Sequence, residues 1–315
     1  MEKRIYLLPK EFLAKLKKIY PQEYPQICRT FLSRKKHSFR INYKKTDLVS
    51  LRKALIKEGI KFKELKWPEG SFILESDLRK FQETFIYKEG LVYLQNVSSM
   101  IPPLVLEPKR DEKILDLCAA PGAKTTQIFS LVGGEAEIIA VEKIRTRFYK
   151  LLANLKIQAA DTVKTILMDG VRIFKKYPEY FDKVLLDAPC SSEARFWVNN
   201  VRSFKYWKER KVKEMAHKQK KLLASAIKSL KEGGVLVYST CTFSPEENEE
   251  IINWALNKFK DKLEIIPVSL PIKNVKPGLI EWRGKKFSSS LKLSLRILPN
   301  DFMEGFYIAK LRKIS

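Results

Sequence analysis

The chain has 315 residues, of which 45% are hydrophobic, so it can form one large domain, or a domain and a smaller module, around an ordinary core. Lys and Arg total 61 against 36 Asp and Glu, a formal net charge of +25. This surplus indicates a polyanionic partner, and nucleic acid is favoured over an acidic membrane because no segment has the pattern of a basic amphipathic anchor.

The cysteines, the histidines and the N-terminus exclude further classes. The four cysteines form no Cys-x-x-Cys pair and there are only two histidines, so we expect no zinc or other metal site. The first residues are charged and no long apolar run follows, so neither a signal peptide nor a membrane span is predicted. Free thiols fit a reducing compartment, and we predict a cytoplasmic protein, monomeric and without a membrane partner.

Up to about residue 90 the pattern predicts a small α/β module. A helix is predicted over 9–20, with its apolar residues on one face, and a second helix over 46–58, ended by Gly59. Strands are predicted at 39–43, 61–65, 72–74 and 91–94. The basic residues of these strands would suit an RNA-facing sheet, but the pattern alone favours an ordinary packing subdomain.

From about residue 111 strands and helices alternate regularly. Strands are predicted at 114–117, 138–141, 163–167, 184–186 and 235–238, and helices at 125–131, 146–157 and 209–230, the last broken by Gly233-Gly234. Such alternation predicts an α/β fold with a doubly wound, mostly parallel sheet. Ligands bind beyond the carboxyl ends of the strands in such sheets, so the loops at those ends are the candidate site.

A loop of small residues follows the first of these strands, in the frame Leu115-Asp116-Leu117-Cys118-Ala119-Ala120-Pro121-Gly122-Ala123-Lys124-Thr125. Small residues let the backbone approach a ligand closely. The frame is neither a phosphate-binding loop nor the dinucleotide-binding glycine pattern. Its spacing alone fits a tight turn equally well.

Acidic residues follow the next two strands. Glu142 could accept hydrogen bonds from both hydroxyls of a ribose, and Asp169 could accept one from an adenine amino group. Taken singly, each has an ordinary alternative, a solvated carboxylate for Glu142 and a turn residue before Gly170 for Asp169. Together with the small-residue loop they predict a nucleoside-binding site without a phosphate site, which suits S-adenosylmethionine better than ATP or NAD.

Two cysteines lie just beyond strands, in the frames Asp187-Ala188-Pro189-Cys190-Ser191 and Ser239-Thr240-Cys241-Thr242. A single cysteine in such a place is most often a small buried hydrophobe. Two, each followed by a hydroxyl residue, favour nucleophilic chemistry, which needs a partly ionised thiol. Asp187 could bind the edge of a base, and Lys124 could orient Asp187 and raise the local positive potential.

Downstream, residues 195–221 interleave basic and aromatic side chains. Such a mixture can hold phosphates and stack bases, and it equally fits a solvated helix face with core aromatics. The net charge favours RNA.

The frame Ser244-Pro245-Glu246-Glu247 predicts a capping box at the start of the next helix. This structural role would pin the loop of Cys241 to a rigid element.

These frames resemble those of the RNA cytosine-5 methyltransferases, the Nol1/Nop2/Sun family, which includes RsmB/RsmF-like proteins. The resemblance extends from about Ser38 to Leu311 and includes several further motifs in the family's order. They are Arg40-Ile41-Asn42, Gln95-Asn96-Val97-Ser98-Ser99-Met100, Glu246-Glu247-Asn248-Glu249 and Glu304-Gly305-Phe306-Tyr307. The resemblance implies a class I, Rossmann-like methyltransferase domain over 96–315 and an RNA-recognition-like subdomain over 1–95.

The resemblance also implies residue roles. Cys241 is then the nucleophile that attacks cytosine C6, and Cys190 assists resolution of the adduct and product release. The implied cofactor is S-adenosylmethionine and the implied substrate is RNA, either tRNA or rRNA. The implied cofactor contacts are Cys118, Ala119, Ala120, Pro121, Gly122, Ala123, Lys124, Glu142, Arg147, Asp169 and Asp187.

The chain departs from the family pattern at two positions where glycine is usual. Ala123 is a small change at a backbone contact and should be tolerated. Ser192 follows Cys190-Ser191 and could alter that loop, which leaves the role of Cys190 less defined.

Three other functions stay open. An amino-group methyltransferase needs no cysteine and usually carries an Asp/Asn-Pro-Pro-aromatic loop, which Asp187-Ala188-Pro189-Cys190 does not match. DNA cytosine methylation also uses a cysteine in a Pro-Cys frame. A non-catalytic RNA-binding or assembly factor would bind RNA without methyl transfer.

Overall fold

The computed structural model describes residues 2–314. The helices are α1 (Lys10–Ile19), α2 (Tyr24–Leu32), α3 (Leu48–Lys57), α4 (Leu78–Glu83), α5 (Phe85–Lys88), α6 (Val97–Leu106), α7 (Ala123–Leu131), α8 (Arg145–Ile157), α9 (Glu209–Ser229) and α10 (Glu249–Lys258). In residues 2–314, no helix is both long and apolar enough to span a bilayer.

The strands form two main sheets and a short ribbon. They are β1 (Ser38–Ile41), β2 (Phe62–Glu64), β3 (Ser71–Leu74), β4 (Val92–Leu94), β5 (Lys113–Asp116), β6 (Glu137–Glu142), β7 (Lys164–Leu167), β8 (Phe181–Asp187), β9 (Leu230–Thr240), β10 (Leu263–Ile266), β11 (Val275–Pro277), β12 (Glu281–Trp282), β13 (Lys285–Lys286), β14 (Leu295–Ile297) and β15 (Phe306–Lys313).

The N-terminal module is an antiparallel sheet in the order β2-β3-β1-β4 with its own core. Phe39 and Phe72 stack in that core, and Leu51 and Leu55 of α3 pack against it. The predicted strands and helices of this module are found within two residues of their predicted ends. Helices α2, α4, α5 and α6 were not predicted.

The larger sheet has the order β11-β14-β15-β9-β8-β5-β6-β7, with β10 paired to β15. Pairs among β5 to β9 are parallel, and β15 runs antiparallel to β9. Alternate residues of the central strands face opposite cores: Val184 and Leu186 lie in one and Leu185 in the other. This is the predicted doubly wound, mostly parallel fold, which is confirmed.

The chain order reverses between β5 and β8. From β5 the sheet continues through β6 to β7, whereas β8 and β9 lie on the other side of β5. In open α/β sheets such a switch point opens a crevice at the carboxyl ends of the strands, where ligands bind. All the loops selected from the sequence leave the sheet at this edge.

One detail of β9 differs from the prediction. Gly233-Gly234 does not follow helix α9 directly, because the helix ends at Ser229 and both glycines lie inside the longer strand β9. Gly233 has a φ of +75°, and the pairing with β8 shifts register between Phe181 and Lys183. The irregularity occurs where the strand begins, far from its carboxyl end.

The first two helices pack against the C-terminal part of the chain. Phe12 of α1 contacts Phe196 and Trp207 edge-on, and Phe31 of α2 contacts Phe243. These helices therefore share a core with the loops around the two candidate cysteines. The division at residue 95 stays a prediction.

Arg40 ties the N-terminal sheet to the larger one. This buried guanidinium donates to Thr126 Oγ1 at 2.8 Å and to the Ala123 carbonyl at 3.0 Å, both at the start of α7. A motif selected by its resemblance to the family thus holds the helix that follows the small-residue loop.

Arg296 of β14 joins three distant parts of the chain. Its buried guanidinium forms a forked pair with Glu249 of α10 and donates to Tyr20 Oη and to the Phe243 carbonyl, each at 2.9 Å. Removing one partner of a buried ion pair leaves the other charge uncompensated.

We expect Arg296→Met to lower the free energy of unfolding by about 3–5 kcal/mol, because Glu249 would remain buried without its cation. Urea denaturation followed by circular dichroism measures this. The matched control is Arg312→Met, which breaks an exposed pair with Glu264 and should cost about 1 kcal/mol or less. Equal losses in the two variants would refute a central role for Arg296.

Candidate active site

The two candidate cysteines meet above neighbouring strands. Strands β8 and β9 are paired in parallel so that Asp187 aligns with Ser239, and the loops carrying Cys190 and Cys241 therefore leave the sheet side by side. The two Sγ atoms lie 3.4 Å apart. Cys241 is buried and Cys190 is partly buried. The structure thus brings together two thiols that lie 51 residues apart in sequence.

The environment makes these two thiols unequal. The hydrogen bond from the Cys190 thiol lowers the pKa of Cys241, and the Arg195 cation adds to this against the opposing effect of burial. The same hydrogen bond, together with burial, raises the pKa of Cys190 well above its ordinary range. At neutral pH the Cys241 thiol is therefore ionised to a larger extent than the Cys190 thiol.

Lys124 and Asp187 form an ion pair beside the thiols. Lys124 Nζ donates to Asp187 Oδ2 and to Ser99 Oγ, each at 2.7 Å, and Ser239 Oγ donates to Asp187 Oδ1 at 2.8 Å. The carboxylate is therefore held from both sides while remaining partly exposed. The predicted contact between Lys124 and Asp187 is present, and sequence reasoning missed its partners Ser99 and Ser239.

The small-residue loop bends sharply between β5 and α7. Gly122 has a φ of +105°, a conformation that favours glycine, and it directly precedes the first residue of α7. Arg147 donates to the Ala120 carbonyl at 2.6 Å, which holds the loop against α8. Burial and the charges of Asp116 and Glu142 raise the pKa of Cys118 well above its ordinary range, so Cys118 stays a neutral thiol.

The predicted acidic residues lie at the carboxyl ends of their strands. Glu142 is buried, accepts a hydrogen bond from the Ile144 N–H at 2.8 Å and lies 3.5 Å from Arg147. Asp169 accepts one from Lys143 at 2.6 Å. Although partial burial opposes it, this contact helps to hold the pKa of Asp169 below its ordinary range.

Asp116, at the end of β5, was not selected from the sequence. Burial raises the pKa of its carboxyl to about 6, although Thr125 Oγ1 donates to its Oδ2 at 2.7 Å. Among residues 2–314 its buried Oδ1 has no hydrogen-bond partner. A free acceptor beside Glu142 and the small-residue loop is suited to a ligand that carries hydrogen-bond donors.

The two departures from the family pattern have different structural settings. Ser192 has φ +57° and ψ +32°, the left-handed region that glycine adopts more readily, so the position accounts for a glycine preference. Ala123 starts α7 and is not among the positive-φ residues. The expectation that Ala123 is tolerated fits its conformation, whereas Ser192 holds a strained backbone beside Cys190.

The predicted capping box is wrong. Ser244 makes no capping hydrogen bond, and residues 245–247 form a 3₁₀ turn before α10 begins at Glu249. Ser244 Oγ instead donates to Glu193, and Glu247 turns to Ser191 in the other cysteine loop. The tertiary contacts compete successfully with the local pattern.

In the basic and aromatic segment most aromatic side chains belong to the core, whereas the basic side chains are exposed, apart from the half-buried Lys220. Phe196, Phe204 and Trp207 are buried with α1 and α2, whereas Tyr206 is exposed and Trp197 lies between these extremes. Most of its aromatics therefore stabilise the fold. Arg195, in the same segment, lies close enough to Cys241 to lower its pKa, a role that the sequence did not indicate.

A family model described as 16S rRNA methyltransferase RsmB/F matches residues 103–312. The chain belongs to this family. A second model, the N-terminal domain of 16S rRNA methyltransferase RsmF, matches residues 8–97. The predicted membership of the RNA cytosine-5 methyltransferases is confirmed.

Individual members of the family differ in substrate and length. The chain is 44% identical to a tRNA (cytosine(49)-C(5))-methyltransferase from Pyrococcus abyssi over 88% of each chain. It is 32% identical to the ribosomal RNA small subunit methyltransferase F of Vibrio campbellii, over its full length but only 65% of that protein. The crystal structure of NSun6 from Pyrococcus horikoshii with SFG superposes with a TM-score of 0.81 at 26% identity, covering 98% of each chain.

We expect Arg195→Gln to raise the pKa of Cys241, because a neighbouring cation stabilises the thiolate. The reaction of Cys241 with methyl methanethiosulfonate should then slow near neutral pH, by up to about tenfold for one pKa unit, and recover at alkaline pH. Mass spectrometry of the Cys241 peptide measures the rates.

Arg202→Gln, on an exposed turn of the same segment, is the control and should leave the profile unchanged. Superimposable profiles for Arg195→Gln and the unaltered protein would show that Arg195 does not set the ionisation of Cys241.

Proposed function

We propose that this protein uses S-adenosylmethionine to methylate C5 of a cytosine in tRNA, with Cys241 as the nucleophile. The observation that carries the proposal is the pair of thiols, 3.4 Å apart, beside the Lys124–Asp187 ion pair at the switch point of the sheet. An ionisable thiol, a neutral thiol and a held carboxylate in one crevice match the needs of a covalent reaction at a pyrimidine ring.

The residues at the neighbouring strand ends suit the proposed cofactor. Glu142 would hold the ribose hydroxyls and Asp169 the adenine, while residues 118–123 let the backbone approach, and Asp116 Oδ1 offers a further free acceptor. When bound, S-adenosylmethionine supplies an electrophilic methyl group on a sulfonium sulfur. No phosphate site is needed for that ligand.

The chain's own residues prepare the base. The Cys241 thiolate forms a bond from Sγ to C6, and the electron pair of the C5–C6 double bond shifts so that C5 becomes enamine-like and nucleophilic. Asp187, oriented by Lys124, would bind the N3 and amino edge of the cytosine and stabilise the adduct. After C5 has been substituted, water takes its proton, the electron pair of the C5–H bond restores the C5–C6 double bond, and the Sγ–C6 bond breaks to return the Cys241 thiolate. Cys190 would assist this last step.

An open cavity beside the active site supports RNA as the substrate. It has a volume of about 300 Å³ and lies between the N-terminal module and the loop that follows Cys190. Its lining includes Arg34, Lys35, Lys36, His37, Arg195 and Trp197. The Arg34 guanidinium lies 6.0 Å from the Trp197 ring, and such mixtures hold phosphates and stack bases. We propose that residues 1–95 contribute RNA binding through this face.

The choice of tRNA over rRNA rests on the similarity to the Pyrococcus abyssi protein, which is higher in identity and extends over more of the relative's own length, 88% against 65%. The reaction would take place in the cytoplasm, the location that we predicted from the free thiols. Neither the amino-group alternative nor the DNA alternative gains a specific observation from the structure.

Cys241→Ala should abolish 5-methylcytidine formation, because the step that makes C5 nucleophilic would be lost, and should spare cofactor affinity. Unmodified tRNA and rRNA fractions are incubated with S-adenosylmethionine, nucleosides are identified by mass spectrometry, and bisulfite sequencing locates the modified position, with cytosine 49 of tRNA expected. The control is Cys28→Ala, which alters a buried cysteine of α2 in the core that α1 and α2 share with the C-terminal part of the chain.

Each other result has its own meaning. A Cys241→Ala protein with unaltered activity contradicts Cys241 as the nucleophile. Methylation of rRNA but not of tRNA would contradict tRNA as the substrate. Binding of RNA without any methylated nucleoside would support the alternative function, a non-catalytic assembly factor.

Cys190→Ala should instead let a covalent enzyme–RNA adduct accumulate, since the step that releases the product would be slowed. Denaturing gel electrophoresis with labelled tRNA detects the adduct as a shifted band. Its absence, with Cys241 intact and the RNA bound, would contradict the release role of Cys190.

A further inference from the structure

A buried carboxylate in the Cys190 loop, that of Glu193, accepts hydrogen bonds from the Cys241 loop. Glu193 is fully buried, and its Oε2 accepts hydrogen bonds from the Thr242 hydroxyl at 2.7 Å and from the N–H groups of Phe243 and Ser244 at 3.0 Å each. Its Oε1 accepts from Trp207 Nε1 at 2.9 Å and from Ser244 Oγ at 2.6 Å. Four of these five donors belong to residues 242–244, which directly follow Cys241 in the chain.

A second buried carboxyl group, that of Glu247, makes the reciprocal contact. Glu247, which follows Cys241 by six residues, accepts a hydrogen bond on Oε2 from the Ser191 N–H at 2.9 Å, and its Oε1 contacts the Ser191 hydroxyl. Gln219 of α9 donates to Glu247 Oε2 and to the Pro189 carbonyl, both at 2.9 Å. Ser191, after Cys190, is therefore held from the Cys241 side, and Pro189, before Cys190, is held by α9.

Further bonds cross between the loops. Ser191 Oγ and Thr242 Oγ1 lie 2.8 Å apart, and the Ala194 N–H donates to the Cys241 carbonyl at 3.2 Å. We propose that Glu193 is a positioning residue for the reaction, an inference that rests on the proposed function. Its hydrogen bonds to residues 242–244 set the separation of the Cys190 and Cys241 thiols. None of these groups needs to touch the substrate.

Glu193 and Glu247 differ in whether a glutamine could take the place of the glutamate and still satisfy its hydrogen-bond partners. Both oxygens of Glu193 face N–H groups, of Phe243 and Ser244 on one side and Trp207 on the other. A glutamine there would direct its NH₂ group at a donor in either orientation. At Glu247, Oε1 faces only a hydroxyl, which can accept as well as donate, so a glutamine fits with its NH₂ group on that side.

The protonation state of Glu247 also favours replacement by glutamine at this position. Burial and the neighbouring charge of Glu193 raise the pKa of Glu247 to about 8, so near neutral pH Glu247 is mostly a neutral acid, which an amide resembles closely. Glu193→Gln and Glu247→Gln are therefore matched variants. They make the same chemical change in the same buried network and have opposite expected outcomes.

The first measurement reports thiol separation without RNA or cofactor. Diamide, added as the oxidant, takes two electrons and two protons from Cys190 and Cys241 as their sulfurs close to a disulfide bond length of about 2.05 Å. Peptide mapping by mass spectrometry follows this one disulfide over time. The second measurement is the single-turnover rate of methylation, with RNA and cofactor affinities determined separately.

We expect Glu193→Gln to slow both disulfide formation and methylation by about tenfold or more, because buried donors would lose their acceptor and the Cys241 loop would shift. Affinity for RNA and cofactor should change by less than about threefold, and Glu247→Gln should stay within about threefold of the unaltered protein in every measurement. Equal losses in both variants, or none in Glu193→Gln, would overturn the proposal.

A rescue experiment separates positioning from general damage to the fold. Trp207→Phe removes the N–H that faces Glu193 Oε1, so a glutamine at 193 could place its NH₂ group there against Ser244 Oγ. The double variant should therefore form the disulfide faster than Glu193→Gln alone. A double variant that is no faster would contradict the donor argument.

The remaining outcomes are also informative. If Glu193→Gln does not fold, Trp207→Phe alone tests the contact, with a loss of about threefold in disulfide formation expected and an unchanged rate opposing the proposal. If the unaltered protein methylates no RNA, the proposed function fails, while the disulfide measurement still decides whether Glu193 positions the thiols.

Discussion

The parallel pairing of β8 with β9 is the constraint on which the site depends. Because Asp187 and Ser239 are aligned across the two strands, the following loops must leave the sheet at the same height and share one crevice. The reversal of strand order between β5 and β8 adds the Lys124 end of the small-residue loop to that crevice. The arrangement of strand ends thus brings Lys124, Asp187 and the two thiol loops together.

The site is rich in carboxyl groups, although the chain as a whole is basic. The protein carries a formal charge of +25, yet the carboxylates Asp116, Glu142, Asp169 and Asp187 line the carboxyl ends of four neighbouring strands. Three of these carboxylates are paired with the cations of Lys124, Lys143 and Arg147. Surplus positive charge attracts a polyanion, whereas carboxyl oxygens at the strand ends suit a ligand with hydrogen-bond donors.

In the two thiol loops the protein buries the carboxyl groups of Glu193 and Glu247 beside apolar side chains. Glu193 and Glu247 have a cost of desolvation that only a full set of hydrogen bonds can offset. In return they hold irregular backbone in one geometry, which apolar packing cannot do because it lacks direction. Arg296 and Glu249 extend the same principle to the next helix, where the pair also holds the Phe243 carbonyl of the Cys241 loop.

Much of the fold could be predicted because its signals are local. The apolar face of residues 10–19 and the alternation beyond residue 111 depend only on periodicity, and both predictions are confirmed. The capping box failed although its local pattern was good, because Ser244 and Glu247 find stronger partners 51 and 56 residues away in the chain. The aromatics of residues 195–221 were ambiguous for the same reason, since only packing against α1 and α2 decides which are core.

The sequence by itself determined the fold class, the family and the identity of the thiols, since these depend on periodicity and on short frames of residues. Only the tertiary structure decided which thiol is ionisable, since that depends on the 3.4 Å contact between Cys190 and Cys241 and on the cation of Arg195. It alone also revealed the hydrogen bonds of Glu193, whose five donors come from two separate segments of the chain. Interactions between distant segments leave no periodic trace in a single sequence, and for this physical reason they become visible only in the folded molecule.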